Sequence, residues 1–143
     1  MGELPSHRPT DITVLDMEAS IEHLTRGTVR NVDVLLVVTE PYYRSLETAG
    51  RTVTLGRELG LERVWVVANK VRTDSEEDAI REFCTRRGLE IIAVVPFDPG
   101  VTAADNAGHA LLDDAPDSRA VARIGALADT LTARVNLATP AAR

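Results

Sequence analysis

The sequence has 143 residues, a length that suits one domain with a buried core. Its formal net charge of −6 argues against unspecific binding to nucleic acid or to anionic membranes, because such binding needs clustered Lys and Arg. The single cysteine, Cys84, excludes an intramolecular disulfide and a cysteine-based metal site within one chain. No apolar run reaches the ~18 residues of a membrane span, and the polar residues 1–11 do not resemble a signal peptide, so we expect a cytosolic protein.

Four short apolar runs predict β-strands. Each run is rich in Val, Ile or Leu and is continuous rather than alternating, which is typical of strands that are buried on both faces of a parallel sheet. The predicted strands are residues 12–15, 34–38, 64–68 and 91–95.

Helical patterns lie between these runs and after the last one. Residues 75–87 carry the clearest signals, because Ser75 and Asp78 resemble a capping box and Gly88 follows the pattern. Residues 44–59 and 118–135 have apolar side chains at helical spacing, and residues 18–30 show a weaker helical pattern. Between the fourth strand and the last helix we expect a loop.

The alternation of strands and helices predicts an α/β fold with right-handed crossovers. We expect a mostly parallel sheet of about four or five strands flanked by helices, in a three-layer, Rossmann-like arrangement. Residues 12–137 would form this domain, residues 1–11 a flexible segment and residues 138–143 a frayed tail. In such sheets ligands bind beyond the carboxyl ends of the strands, so the residues that follow each strand are the candidates for a functional site.

The residues after the first three predicted strands allow both a functional and a structural interpretation. Asp16 is suited to hold a magnesium-bound water, and at even odds it caps a turn instead. Glu40 precedes Pro41, which favours a purely structural role. Asn69 can present its amide to a purine edge, although an isolated Asn-Lys pair favours a turn.

The residues after the fourth predicted strand form a proline-rich segment. Pro96 and Pro99 enclose Phe97 and Asp98, and together they would make a stiff loop that can shape a flat pocket. Stiff proline loops also occur without any ligand. Each signal is weak by itself, but four signals in order at the ends of strands favour a ligand site.

Several of these segments resemble the MinD/ParA-like family of deviant P-loop ATPases, and in particular its CooC type, which comprises accessory ATPases of carbon monoxide dehydrogenase maturation. Residues 14–28 (VLDMEASIEHLTRGT) resemble the Walker B and switch II segment of that type. Further matches are residues 37–41 (VVTEP), 44–49 (RSLETA), 69–70 (NK) and 95–98 (VPFD). The resemblance extends over about residues 12–131.

The resemblance implies a role for each matching residue. Asp16 would hold Mg²⁺ through water, and Glu18 would lie with Ser20 in the switch that senses the γ-phosphate, which makes Asp16 and Glu18 the candidate catalytic residues. Asn69 would contact adenine. Three residues would line the base pocket: Pro96, Phe97 and Asp98.

Two departures from the family pattern matter. Ser20 stands where the family usually has glycine, and no segment of the form Gly-x-x-x-x-Gly-Lys-Ser/Thr exists in the 143 residues. The two-cysteine metal motif of the CooC type is absent as well. Because a P-loop supplies most of the phosphate contacts, we expect weak or no ATP binding by the chain alone. ATP and Mg²⁺ would bind, and ATP would be hydrolysed, only with a complementing P-loop half supplied in trans.

The missing phosphate-binding half also has a structural consequence. In the family fold the P-loop strand lies between the Walker B strand and the strand at residues 34–38, so its absence leaves strand edges bare. Either the two strands close up, or a second chain supplies the missing strand, or the product is unstable; we favour the first two outcomes. We therefore expect a homodimer or a P-loop-bearing partner chain, and a metalloenzyme client.

Two other functions remain open at this point. The chain can be a non-enzymatic interaction module that kept the fold and lost the nucleotide. It can also be a receiver-like signalling domain, because Asp16, Thr39 and Lys70 at successive strand ends loosely resemble a phospho-acceptor site.

Overall fold

The computed structural model describes residues 12–17 and 32–136. These residues form an α/β unit with three strands, β1 (Leu35–Thr39), β2 (Val64–Val71) and β3 (Ile91–Pro96). Its five helices are α1 (Tyr43–Glu58), α2 (Asp74–Arg86), α3 (Pro99–Ala107), α4 (Leu111–Asp114) and α5 (Arg119–Asn136). No helix in the described part of the chain is long and apolar enough to cross a bilayer.

The sheet is parallel, with the strands in the order β1-β2-β3. Residues Leu35 to Thr39 of β1 pair in regular register with Val64 to Ala68 of β2. Each strand lies beside the preceding one in the same direction, so right-handed crossovers place both connecting helices, α1 and α2, on one face. The α5 helix packs against β3 and, with β2 and β3, encloses a second cluster of buried residues that is separate from the first.

The main core lies between the sheet and the helices α1 and α2. Val53 of α1, Val66 of β2 and Ile80 of α2 are each 1% exposed. Helix α1 approaches the sheet closely at Gly56, where an added Cβ would lie 3.0 Å from Cδ2 of Leu35. Ten more buried residues complete this cluster: Val37, Leu46, Ala49, Leu61, Val64, Ala68, Val71, Phe83, Cys84 and Leu89.

The second cluster is smaller and centres on Val67, Val95 and Ala120. The far end of α5 is held by Trp65 and Glu90. The indole N–H of Trp65 donates to Oε2 of Glu90 at 2.9 Å, and Arg134 donates to Oε1 of the same carboxylate at 2.6 Å. The Arg134 guanidinium also lies 5.1 Å from the centroid of the Trp65 ring. These contacts hold α5 against the sheet only near β2 and β3.

The sequence prediction of a parallel α/β fold flanked by helices is confirmed, and the boundaries of most elements differ from it by one residue. The helix predicted at residues 75–87 begins at Asp74, and the capping box assigned to Ser75 and Asp78 is wrong. Thr73 is the N-cap, because its side chain accepts from the N–H of Glu76 at 3.2 Å. The Glu76 carboxylate in turn accepts from the N–H of Arg72. This arrangement satisfies one donor in the first turn, the N–H of Glu76, and one donor before the helix, the N–H of Arg72. Ser75, in contrast, already lies within the helix.

The predicted strand at residues 12–15 is wrong. Residues 12–17 have no regular secondary structure, and Val14 is 85% exposed. A strand requires a neighbour that continues its hydrogen-bond ladder, and an apolar sequence does not supply one. The described part of the sheet therefore has three strands instead of four or five.

The loop predicted after β3 is wrong as well, because this stretch contains α3 and the short α4. Helix α3 begins with Asp98 as its N-cap and Pro99 in its first turn, a favourable pair for starting a helix. The predictions for residues 1–11, 18–30 and 138–143 lie outside the described residues.

The buried position of Ile80 gives a direct test of the core. We expect Ile80→Ala to lower the free energy of unfolding by about 2–5 kcal/mol, because it leaves a cavity between α2 and the sheet. Ile124→Ala is the matched control, since Ile124 of α5 is 48% exposed and its truncation should cost less than about 1 kcal/mol. Urea unfolding followed by the fluorescence of Trp65 measures both changes, and equal losses would contradict the placement of the core.

Candidate functional site

The candidate site is the carboxyl end of the sheet, where the last residues of the three strands and the residues after them meet. β1 ends first, because its last residue Thr39 pairs with Ala68 while β2 continues to Val71. The ends of β2 and β3 are aligned, because Val71 pairs with Pro96. The second pairing follows a register shift between Ala68 and Val71. The irregular backbone of β2 therefore lies in the middle of the candidate site.

The end of β1 is fixed by a small hydroxyl network. Thr39 is 1% exposed, and its hydroxyl lies 3.0 Å from the hydroxyl of Ser45 in the first turn of α1. Ser45 Oγ also accepts from the N–H of Glu40 at 2.9 Å. The turn between β1 and α1 is thus held by Ser45, which the sequence analysis did not single out.

The end of β2 has an unusual backbone conformation. Lys70 has a φ of 56°, and it is the one non-glycine residue with positive φ among the described residues. Such a conformation costs about 1–3 kcal/mol, and residues that adopt it cluster at functional sites. Asn69 Oδ1 accepts from the N–H of Lys70 at 3.0 Å, while Nζ of Lys70 reaches Oε1 of Glu40 at 2.7 Å. This ion pair is half exposed, so it orients the two side chains more than it stabilises the fold.

Asn69 keeps capacity for a ligand in this arrangement. Its carbonyl oxygen has two lone pairs, of which the N–H of Lys70 uses one, and the described residues place no acceptor against its amide NH₂. The side chain is partly exposed at the carboxyl end of the sheet. An amide in this state can both accept from and donate to the edge of a purine base.

The end of β3 is joined to β2 through Phe97. The N–H of Phe97 donates to the carbonyl oxygen of Val71 at 2.8 Å, and its ring is 40% exposed. The Arg72 guanidinium lies over the ring, 4.6 Å from its centroid. The sequence analysis did not identify Arg72, although an arginine at the end of one strand and an aromatic residue at the end of the next provided the signal. One face of the Phe97 ring is therefore covered by a cation.

Asp98 connects two helices. Its Oδ1 accepts from the N–H of Gly100 at 2.9 Å in the first turn of α3, and its Oδ2 accepts from the N–H of Ala120 at 3.4 Å in the first turn of α5. The Gly100 bond is the main cause that holds the pKa of Asp98 below its ordinary value of 3.8, against a smaller opposing effect of burial. The carboxylate is thus an ionised cap for two helix N-termini.

The carboxylates proposed to act with magnesium and the γ-phosphate are Asp16 and Glu18. Asp16 is exposed, and Glu18 lies outside the described residues. Within residues 12–17 and 32–136, no three His, Cys, Asp or Glu side chains are grouped so that they could hold a metal ion. The side chains that are described do not fit Mg²⁺ by themselves, and the role of Asp16 stays a prediction.

Curated relatives identify the sequence family. The chain is 37% identical over 117 residues to an uncharacterized ATP-binding protein of Methanocaldococcus jannaschii, a match that covers 80% of this chain and 44% of that protein. It is also 37% identical over 109 residues to the carbon monoxide dehydrogenase accessory protein CooC of Rhodospirillum rubrum, covering 76% of this chain and 41% of CooC. The chain thus spans less than half the length of these relatives. No family model matches it.

Solved structures share the fold. MinD of Aquifex aeolicus superimposes with a TM-score of 0.66 at 22% identity, over 86% of this chain and 52% of that chain. A ParA family ATPase of Chlorobium tepidum gives a TM-score of 0.61 at 27% identity, over 73% of this chain and 45% of that one. The chain belongs to the MinD/ParA-like family, CooC type.

The receiver-like interpretation loses support from the same geometry. Thr39 is buried with its hydroxyl against Ser45, and Lys70 is paired with Glu40. A phospho-acceptor site needs a hydroxyl and an ammonium group that face an accessible aspartate. The MinD/ParA-like chain has neither group free at this end of the sheet.

The two caps at Asp98 predict a pH-dependent stability. We expect Asp98→Asn to lower the urea midpoint at neutral pH, because the neutral amide is a weaker acceptor for the two helix N-termini. A carboxylate whose pKa is depressed in the folded state stabilises the fold at pH values above its pKa in the unfolded state. This stabilisation is lost as the pH falls from about 3.8 through the lower pKa of the folded state. The difference between the native chain and the variant should therefore shrink below pH 3.8.

The matched control for this measurement is Asp105→Asn. Asp105 is an exposed residue of α3 without a side-chain hydrogen bond in the described structure. A constant difference between Asp98→Asn and the native chain down to the acid limit would show that the charge of Asp98 does not contribute.

Proposed function

We propose that this chain is the base-binding side of a CooC-type nucleotide site and that it works only with a polypeptide that supplies the P-loop. The observation that carries the proposal is the uncovered apolar surface at β1. Within the described residues β1 pairs with β2 alone, and Val38 is 60% exposed on the face opposite to α1. This surface lies directly beside the candidate site.

The composition of β1 supports a missing neighbour. Its sequence LLVVT contains no charge, no proline and no bulge, which are the usual protections of a free sheet edge in water. The strand β2, in contrast, is covered on all sides. Its residues Val64 to Ala68 are all buried between two strands and two layers of helices. A complementary strand with its helix would give β1 the environment that β2 already has.

The distribution of binding groups points in the same direction. Most of the affinity for a nucleoside triphosphate comes from backbone N–H groups and a lysine around the phosphates, and the sequence contains no such segment. What the chain does offer is Asn69 near the end of β2 and Phe97 directly after β3, whose N–H donates to the carbonyl oxygen of Val71. These groups can orient a base, while positioning and charge stabilisation at the phosphates fall to the partner.

The similarity to CooC suggests the process that the assembled site serves. CooC of Rhodospirillum rubrum is named as an accessory protein of carbon monoxide dehydrogenase. By this likeness we propose a cytosolic role in the maturation of a metalloenzyme, driven by ATP and Mg²⁺ once the P-loop is supplied.

Calorimetry with Mg-ATP tests the proposal. We expect the isolated chain to bind Mg-ATP with a Kd above about 1 mM, because base contacts alone supply little affinity. This Kd corresponds to a binding free energy of about 4 kcal/mol. Co-purification with the P-loop-bearing portion of a CooC-type relative should bring binding into the micromolar range. In that complex Asn69→Ala should weaken ATP binding about ten-fold, whereas Asn106→Ala, on the exposed side of α3, should not. Tight ATP binding by the chain alone would refute the proposal.

The uncovered face of β1 can be tested separately. We expect Val38→Glu to abolish co-purification with the P-loop-bearing polypeptide, because it would bury a charge in the interface. The isolated variant should lose less than about 1 kcal/mol of stability, since Val38 is already mostly exposed. Val101→Glu on α3 is the control, because Val101 is also exposed, at 38%, and lies after β3. If Val38→Glu and the native chain co-purify equally with the P-loop-bearing polypeptide, the exposed face of β1 is not the interface. Co-purification that does not depend on ATP would instead indicate a non-enzymatic interaction module.

A further inference from the structure

The other edge of the sheet has a surface that the nucleotide proposal does not use. In the described part of the chain β3 pairs with β2 alone, and its outer edge lies in a groove of about 380 Å³ between α2 and α5. Ile91, Ile92, Ala93 and Val94 line this groove and are only partly buried, whereas the residues of β2 beside them are fully buried. The groove thus combines half-covered apolar side chains with an unpaired strand edge.

The two walls of the groove differ in charge. On the α2 side, Arg81 is neutralised by Glu77 at 2.6 Å, and Asp74 adds a further carboxylate. On the α5 side, Arg119 and Arg123 are exposed, and neither guanidinium has an ion pair or hydrogen bond to a described residue. In a chain with a net charge of −6, the α5 wall is therefore locally cationic.

The spacing of the two free arginines matches an extended chain. Arg119 and Arg123 are four residues apart on one helix, which separates them by about 6 Å along its axis. Alternate residues of a β-strand lie about 6.6 Å apart and point to the same face. A strand that paired with β3 would therefore direct every second side chain toward α5, at intervals that fit the two guanidinium groups.

We propose that the outer edge of β3 is a docking site for an extended acidic segment of a partner protein, which adds a fourth strand and places two alternate carboxylates against Arg119 and Arg123. The backbone ladder provides affinity, and the α5 wall selects acidic side chains on one face of the added strand. The residues of the docked segment that alternate with these acidic residues are small or apolar and face the α2 wall, which already contains its own carboxylates. This proposal does not depend on nucleotide binding.

A labelled peptide of about six residues, alternating Glu and Val and similar in length to β3, provides the probe. Fluorescence anisotropy with the full chain should show binding that weakens with added salt, because exposed ion pairs are screened. The double variant Arg119→Glu/Arg123→Glu should bind the peptide about ten-fold more weakly. The control Arg51→Glu/Arg86→Glu makes the same change in charge on exposed residues outside the groove and should stay within about two-fold of the native chain.

A second probe separates strand addition from simple charge attraction. The same peptide with N-methyl groups on alternate amides keeps its charges and loses ladder donors, so we expect it to bind at least about ten-fold more weakly. Circular dichroism confirms that each protein variant is folded. The proposal is overturned if the methylated peptide, or an oligonucleotide of equal charge, binds as tightly as the original peptide. It is overturned equally if the double variant binds like the native chain, or if sedimentation shows that β3 is covered by a second copy.

Discussion

The parallel ladder of β1, β2 and β3 is the constraint on which the rest of the structure depends. Three parallel strands laid down in one direction require two right-handed crossovers, and these put α1 and α2 on the same face. In the described part of the chain the opposite face is covered by α5, which packs against β3. As a result β2 is enclosed on every side, while β1 and β3 each keep a free edge in the described structure. Both of the proposed interaction surfaces follow from this asymmetry.

The carboxyl end of the sheet is organised by hydrogen bonds that backbone N–H groups donate to side chains and to a neighbouring strand. Ser45 holds the turn after β1, the N–H of Phe97 joins β3 to Val71, and Asp98 caps two helices. The strained backbone at Lys70 is stable because these neighbouring ends are fixed. Hydrogen bonds thus fix the residues that follow β1 and β3 in one arrangement. The proposed base site would therefore lose little entropy on binding a base.

The sequence predicted the three strands and their helices well, because continuous apolar runs and helical periodicity are local signals. It failed where the outcome depends on distant neighbours. Residues 12–15 have the composition of a strand, but a ladder needs a second chain segment that the pattern cannot show. The groove beside β3 could not be found either, because Arg72, Arg119 and Arg123 come together only in the fold. The start of α3 is a different case, since Asp98 followed by Pro99 is a local signal for a helix that was interpreted as a loop.

The segment from Pro96 to Asp98 belongs both to the fold and to the proposed base site, and different residues of the segment carry these two roles. The Asp98 carboxylate is engaged by the N–H groups of Gly100 and Ala120, so it can shape a base pocket only by fixing its neighbours. Phe97 remains the residue with an accessible ring, and Arg72 covers one of its faces. Arg72 and Phe97 also line the groove beside β3. A base that stacks on Phe97 must therefore use the other face or displace Arg72, and in the second case it would change the charge of the β3 groove. The two proposed sites are separate in their main contacts and adjoin at this one cation-aromatic pair.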